Sequence, residues 1–436
     1  VSDATPTPTR GLRRFVPVAA GVLTGPTRRF LVATILGAFG AGFTFSLFAL
    51  YCVHIRHIPI GVATTIIAWE ALVGLVVSPA YGTLIDRVGP SRVLAIALPI
   101  ASVSIGAVGF APTLPWIVLV MTLFSMFGAA TWSAGTVLLT RIVAESHRTD
   151  VFGLNFMLLN VGIGVGSIVG TSIINLHSAA TFQVVYLLTG ACCLANFLAL
   201  HSLRAHGGPP PVPEHHERSH EGWREVFSDR RLVHFLVPSL LMMVCGYGSV
   251  EAGIPLFVTG VAHLSVHVVG LVFFCNTSTI VLGQAFVIGG IRGRSRSLLL
   301  GVVGAAWGLS WLFATASVFI GVAAGVAALC VGQVIFALGE TVFQPIAPVL
   351  VNELAPEHLR GRYNSLVGTM WTLSAVIGQL IAGAFLEFHQ GRLWTVCLAA
   401  GAVLGGLGLT TLRRTLSPTE DGLLLEAGAS SAATAT

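Results

Sequence analysis

The chain has 436 residues, of which 54% are hydrophobic and only 9% charged, with a mean hydropathy of +0.86. A soluble chain carries roughly 25% charged residues, so this one could not cover a water-facing surface. That excludes a cytosolic enzyme, a secreted disulfide scaffold and a disordered protein, and leaves a polytopic membrane protein. All 23 basic residues are arginine and the net charge is +5. Their positions between apolar runs account for that charge without a nucleic-acid partner.

Residues 1–29 form a Pro/Thr-rich and Arg-rich leader without the n-, h- and c-regions of a signal peptide, and read as a cytoplasmic N-terminal tail. Twelve apolar runs follow, at 30–53, 60–82, 91–110, 114–140, 152–174, 181–203, 232–258, 266–290, 297–316, 319–350, 364–388 and 393–412. Each is long enough to span a bilayer, and an unbroken apolar run in lipid must be a helix because its peptide groups have no water to bond. The expected fold is therefore all-α, with an N-terminal six-helix bundle over 30–203 and a C-terminal one over 232–414. The polar stretch 204–231 between them holds the three consecutive prolines 209–211 and His215-His216, and reads as a solvated cytoplasmic loop. Residues 415–436 read as a cytoplasmic C-terminal tail.

The arginines orient the chain. With the N-terminus inside, 21 of 23 fall in the tails or in loops on the cytoplasmic side, and only Arg56 and Arg392 fall outside. The seven cysteines all lie in apolar runs without metal-ligand spacing, so they read as small packed hydrophobes and no metal site is expected. The halves also repeat. Ala144-Glu145-Ser146-His147 before Phe152 matches Ala355-Pro356-Glu357-His358 before Tyr363 at an offset of 211. Two repeated six-helix halves around a long loop form a carrier pattern, with substrate held between the halves near the midplane.

Residues 82–92 contain Gly82, Leu84, Asp86, Arg87, Gly89 and Arg92 in the spacing G-x-L-x-D-R-x-G followed by a basic residue. This resembles the signature of the major facilitator superfamily, in the same loop between the second and third helices. Gly339-Glu340 with Gln344-Pro345, followed by Leu354-Ala355-Pro356 and Arg360-Gly361-Arg362-Tyr363, is similar to the second half of its bacterial drug-exporter-like (drug:proton antiporter) members. Two features of those members are absent. The arginine expected in the fourth helix is replaced within Phe124 to Gly128, and the Gly-Pro pair of the fifth helix is Gly166-Ser167 here.

The resemblance implies a twelve-helix carrier whose loop acts as a conformational switch. Asp86 would approach the N-terminus of the eleventh helix near residue 364 and latch the outward-open state, a contact favoured by the free N–H groups there. Gly82 and Gly89 would permit close approach and a tight turn, and Arg87 and Arg92 would complete a charge network. The symmetry-related loop has Arg294 where Asp86 stands, so Arg294 is expected to pair with Asp150.

Three glutamates lie inside apolar runs: Glu340, Glu70 and Glu251. A charge at the bilayer centre costs about 2.5–3.5 kcal/mol on insertion scales, so such residues face a cavity and act there. Removal from water favours a neutral carboxyl, which suits proton exchange. Glu340, beside the kink expected at Gln344-Pro345, ranks first as the proton-coupling residue. Tyr51, Trp132, Asn155, Tyr247, Phe343, Gln344 and Trp371 are the candidates for lining a substrate cavity. With no buried arginine to hold an anion, the substrate expected is neutral or cationic and lipophilic.

The phosphate-binding G-x-x-x-x-G-K-S/T sequence is absent, so the expected energy source is a proton gradient, with no cofactor and no enzymatic activity. The expectation is a proton-coupled exporter of drugs or metabolites in a bacterial inner membrane. The alternative is a proton symporter or facilitator for uptake of a small polar solute. Expected partners are the lipid bilayer and a small-molecule substrate; no oligomer is implied.

Overall fold

Lipid offers no partner to a free peptide group, so each apolar run satisfies its backbone within itself. The computed structural model describes residues 23–208, 223–291 and 293–423. The remainder of both tails, His215 and His216 of the central loop, and Arg292 lie outside the described residues. Twelve helices are long and apolar enough to cross a membrane. They are α1 (Gly25–Ile55), α2 (Ile60–Val88), α3 (Pro90–Val108), α4 (Leu114–Ile142), α5 (Asp150–Ile173) and α6 (Ala179–His201) in the first half. In the second half they are α7 (Arg230–Ser249), α8 (Val266–Gln284), α9 (Arg296–Ala316), α10 (Val322–Leu354), α11 (Glu357–Glu387) and α12 (Gly391–Arg414). Prolines in the first turns of α1, α3 and α4 start those helices without losing a hydrogen bond.

Two of the twelve are broken: the uniform apolar run did not reveal the first break, while the second falls in Gly246 to Pro255, whose glycines and proline suit bending. Helix α1 loses regularity at residues 45–47 and ends in a wide, π-type turn over Tyr51–Ile55. Helix α7 does the same: the chain leaves it at residues 250–252, resumes over Gly253–Leu256 and ends in a π-type turn over Phe257–Val261. The two endings superimpose in sequence at an offset of 206. His57 and His263 both take a left-handed backbone, at φ 52° and 51°. Behind them the Ile58 N–H donates to the Cys52 carbonyl and the Leu264 N–H to the Val258 carbonyl, both at 2.9 Å. Further along, the short turns Glu145–His147 and Glu357–Leu359 correspond at an offset of 212, one more than the sequence match gave.

The halves meet through two helix pairs, α2 with α11 and α5 with α8. Small residues set the closeness of both pairs. A Cβ at Gly383 of α11 would overlap the Thr64 hydroxyl of α2, one at Gly270 of α8 would overlap the Thr171 hydroxyl of α5, and one at Gly164 would overlap that of Thr277. Each of these threonines bonds its own helix instead of reaching across: Thr64 to the Ile60 and Gly61 carbonyls, Thr171 to Ser167 and Thr277 to Phe273. Two hydrogen bonds cross the seam at its far end. The Gly61 N–H donates to Glu387 Oε2 at 3.1 Å, and His267 Nδ1 lies 2.8 Å from the Thr171 carbonyl. All these contacts lie in the half of the molecule away from the termini. Toward the termini the glycines that could touch across the seam, Gly82, Gly153, Gly290 and Gly361, have open space around them. The halves are closed at one end and parted at the arginine-rich other.

At the arginine-rich end each half is braced by the segment that leaves its last helix. In the first half Gly89 turns the chain at φ 86°, the only sign of φ that lets it lie against the backbone of Gly207 and Gly208. The Ser91 N–H donates to the Gly207 carbonyl at 3.1 Å, and Arg141 reaches the Gly208 carbonyl. In the second half the stretch Ser417 to Gly422 folds back over the start of α9. Asp421, 2% exposed, takes the Ser297 N–H at 2.9 Å and the Ser295 hydroxyl at 2.5 Å. This is an N-terminal cap supplied from a distance of more than 120 residues. Next to it Glu420 pairs with Arg231 at 2.5 Å, and Arg296 pairs with Glu353. Burial works against ionisation of Glu420, but Arg231 and Ser417 outweigh it and hold the carboxyl down at about 2. A carboxyl held low in the folded chain stabilises it above the ordinary carboxylate range, so this contact loosens only as pH falls toward 2.

Two outcomes follow from these contacts. Asp421→Asn should lower the thermal unfolding temperature, by the equivalent of about 1–2 kcal/mol for a lost cap, as read by tryptophan fluorescence. Gly383→Val should prevent the closed seam from forming, and impermeant thiol labelling of a cysteine at position 64 should rise several-fold.

Candidate functional site

Where the halves part, a cavity of about 830 Å³ opens between α2, α4, α11 and the break after α7. Helix α2 lines it with positions 67, 70, 71, 74, 75 and 78, and α4 with 124, 125, 128, 129, 132 and 133. Both are single helical faces, read off at steps of three and four. The wall from α11 runs from Ser365 to Ala375.

The cavity has two charged groups among its lining residues, Glu70 and Glu251, one from each half. Glu70 rides on α2, whose backbone carbonyl at that residue takes the Ser125 hydroxyl of α4 at 2.6 Å. Glu251 sits in the irregular turn of the broken seventh helix, where the backbone swings its side chain toward the parting. The two carboxyls are near enough for their charges to act on each other. The indoles of Trp132, 70% exposed, and Trp371 add flat apolar surface. Hydroxyls of Ser78, Ser125, Ser133, Ser365, Thr369 and Thr372 complete the lining. Two acids and two indoles thus stand on the lining, with no basic group among the lining residues.

A second polar centre lies behind this wall. Tyr247, which does not line the cavity, meets the Trp371 ring at a tilt, with ring centres 4.7 Å apart. Its hydroxyl lies against Glu340 of α10 and accepts from Gln344 Nε2 at 3.4 Å. Asn276 of α8 also faces the Glu340 carboxyl and donates to Gln333 at 3.4 Å. Glu340 is 9% exposed, and Phe336 and Phe343 of the same helix each contact the Trp307 ring. Repeat symmetry relates the two centres: the offset of 206 carries Glu70 onto Asn276.

The sequence-based expectations divide accordingly. Glu70, Glu251, Trp132 and Trp371 line the cavity. Glu340, first among the three acids, does not; it belongs to the network behind. Tyr247, Phe343 and Gln344 are not on the wall either; Tyr247 and Phe343 touch the ring of the wall residue Trp371, and Gln344 bonds Tyr247. Tyr51 is a packing residue at the closed end. It is fully buried, donates to the Val108 carbonyl at 2.9 Å, accepts from Arg56 at 2.6 Å, and meets Phe182 at a tilt and Tyr186 edge to face. Asn155 accepts the Thr34 hydroxyl at 2.7 Å, tying α5 to α1 within one half. The pattern missed the six hydroxyls, whose signal was the small-and-polar stripe on α2, α4 and α11.

The switch loop is disengaged. Asp86, Arg87 and Arg92 are exposed, and Asp86 has no side-chain partner among the described residues. Gly89 makes the expected tight turn and close approach, whereas Gly82 faces open space. Arg294 and Asp150 are both exposed and unpaired with each other; beside them Arg296 pairs with Glu353 of α10 and donates to the Glu420 carbonyl. Both missing contacts would cross the parted end of the seam. Among the described residues no three His, Cys, Asp or Glu side chains come together as metal ligands.

Comparison with known proteins gives consistent matches. The family model of the Major Facilitator Superfamily matches residues 30–325 and again 262–434. The MFS-type transporter YqjV of Bacillus subtilis (strain 168) is 22% identical over 86% of this chain and 90% of its own. The Na(+), Li(+), K(+)/H(+) antiporter of Planococcus maritimus is 22% identical over 74% and 81%. Among solved structures, the nucleoside transporter NupG matches with a TM-score of 0.73 at 12% identity, covering 90% of this chain and 100% of that one. A POT family transporter in complex with 5-aminolevulinic acid matches with a TM-score of 0.71 at 14% identity, covering 90% and 96%. At these identities the structures establish a shared fold.

The two-layer arrangement has a direct test. Tetraphenylphosphonium, an apolar cation without hydrogen-bond donors, should quench tryptophan fluorescence on entering the cavity. Glu70→Gln and Glu251→Gln should each weaken its binding about tenfold, while Glu340→Gln, behind the wall, should change it less than twofold.

Proposed function

The chain belongs to the Major Facilitator Superfamily and is a membrane transporter; on that footing we propose that it is a proton-coupled exporter of lipophilic neutral or cationic small molecules, working by alternating access. One observation carries the reading: a cavity between the halves, open at one end and sealed at the other, with an acid from each half and no base on its lining. The arginine-rich end is taken as cytoplasmic by the positive-inside rule, which puts both termini in the cytoplasm of a bacterial cell and makes this conformation inward-open. A compound dissolved in the inner leaflet or cytoplasm would enter here.

The chemistry then runs as follows. Glu70 and Glu251 bind the cationic pole of the substrate while Trp132 and Trp371 take its apolar body. Glu340 exchanges the coupling proton, with Tyr247 and Asn276 ready to donate to its ionised form. Trp371 touches the substrate on one side and Tyr247 on the other, so a substrate that displaces the indole moves the group bonded to Glu340. Binding and protonation thereby compete through one shared ring. When the seam of threonines and glycines opens and the cytoplasmic end closes, Asp86 is expected to meet α11 and latch the outward-open state.

The six hydroxyls on the cavity wall favour a second reading, a proton symporter or facilitator for uptake of a small polar solute. Direction decides between them. Inside-out vesicles with an acid interior should accumulate a fluorescent lipophilic cation at least tenfold over collapsed-gradient controls, and Glu340→Gln should abolish the gradient dependence. Accumulation that survives in that variant moves coupling to Glu70 or Glu251. No accumulation of any dye by the wild type, with uptake of a polar solute into right-side-out vesicles, establishes the second reading.

A further inference from the structure

The closed end of the seam holds a second pocket, of about 500 Å³, that the transport mechanism does not use. Four of its lining residues are histidines: His54 and His177 from the first half, His263 and His267 from the second. They come from four different places, the end of α1, the loop after α5, the turn after the broken seventh helix and the start of α8. The remaining lining includes Asn175, Thr259 and Ser265, but no carboxylate.

We propose that these four imidazoles form an external proton-binding site whose loading parts the closed ends of the two halves. The proposal rests on the orientation above, which puts this end outside the cell.

The argument is electrostatic and begins with what surrounds the pocket. His54 lies close enough to His177 and His57 for their charges to act on it. Arg56, on the same turn, is engaged by the Tyr51 hydroxyl and the Gly109 carbonyl. The connections at this end, residues 56–59, 109–113, 174–178, 262–265, 317–321 and 388–390, contain no Asp or Glu. Glu387, at the adjoining end of α11, accepts the Gly61 N–H and lies outside the pocket lining. Imidazole is the side chain that changes charge between about pH 5 and 8. Acid therefore adds positive charge on both sides of the seam, with no carboxylate in the lining to absorb it.

Only one of the four has a fixed role in the closed state. His267 bonds the Thr171 carbonyl across the seam, close to the C-terminus of α5, where a cation is tolerated. The side chains of His54, His177 and His263 have no hydrogen-bond partner among the described residues, so their protonation works against closure without breaking any bond. The seam beneath them is threonine on glycine, with nothing ionic to hold it shut against that repulsion. Neutral imidazoles permit the closed seam and charged ones oppose it.

The experiment measures the outer separation in full-length protein whose native cysteines are replaced. Spin labels go on Ala180→Cys and Gln390→Cys, both exposed at this end. In micelles, going from pH 8 to pH 5.5 should raise the population with separated labels at least threefold. The triple variant His54→Gln, His177→Gln, His263→Asn should respond less than 1.5-fold; asparagine is chosen at 263 because it tolerates the left-handed backbone there. If the triple variant does not fold, the double variant His177→Gln, His263→Asn, at two exposed positions, should at least halve the response. His389→Asn, a histidine exposed at the same end but outside the pocket lining, should keep the full response. An unresponsive wild type, a response undiminished in the histidine variants, or one that vanishes in His389→Asn overturns the proposal. Micelles expose both ends to one pH, so the result does not depend on direction of transport. Impermeant labelling of Ala180→Cys in intact cells separately tests which end faces out.

Discussion

Three threonines seated on three glycines hold the halves together, and the open cavity exists because they do so at one end only. The contact is unusual in what it leaves out. Each hydroxyl is already bonded to its own helix, so the seam is a fit of shapes between helices stripped of side chains. The dispersion energy of such a fit falls away steeply once atoms separate by an ångström. A seam of this kind is either closed or fully open, and the state of the cavity follows it. The repeat sharpens the point. The offsets 206 and 212 carry Thr64 onto Gly270 and Thr171 onto Gly383, so the two symmetry-related contacts have knob and hole exchanged between the halves.

In the proposed mechanism the cavity and the network behind it divide two tasks that a single carboxyl would have to share. An acid on the wall would meet whatever enters, whereas Glu340 would meet only Tyr247, Asn276 and their neighbours. The wall residue in contact with both centres is Trp371. Its ring would give the substrate a surface while it touches Tyr247 at a tilt, which would let occupancy of one centre be felt at the other without the ligand reaching it. The asymmetry between halves is chemical more than architectural: Glu251 stands in the break of the seventh helix where the repeat puts Phe45 in the first.

Much of the fold was legible because lipid reduces the choices to a count of apolar runs. The number of helices, their approximate limits and the two-fold repeat all came from hydropathy and arginine placement. The break at residues 45–47 did not, because hydrophobic periodicity disappears in a helix that is apolar on every side, whereas the one at 250–252 falls in Gly246 to Pro255, whose glycines and proline mark a segment suited to bending. For the same reason the sequence could nominate polar and aromatic residues inside spans but could not say which way they face. Tyr51 and Asn155 carry the chemistry of a binding residue and spend it within one half. Glu70 and Glu251 gained their meaning only from being brought together across the parting, from positions 181 residues apart.

An uncharged seam also decides where a membrane potential can act. Moving one elementary charge through 100 mV changes the free energy by about 2.3 kcal/mol, but threonine and glycine offer nothing for the field to move. Within the membrane it can grip only the carboxyls in and behind the cavity, and only when they are ionised and uncompensated. An empty, deprotonated carrier would feel the voltage, while one neutralised by a cation or by protons would turn freely. The potential would then set the rate of the return stroke and leave the loaded stroke alone.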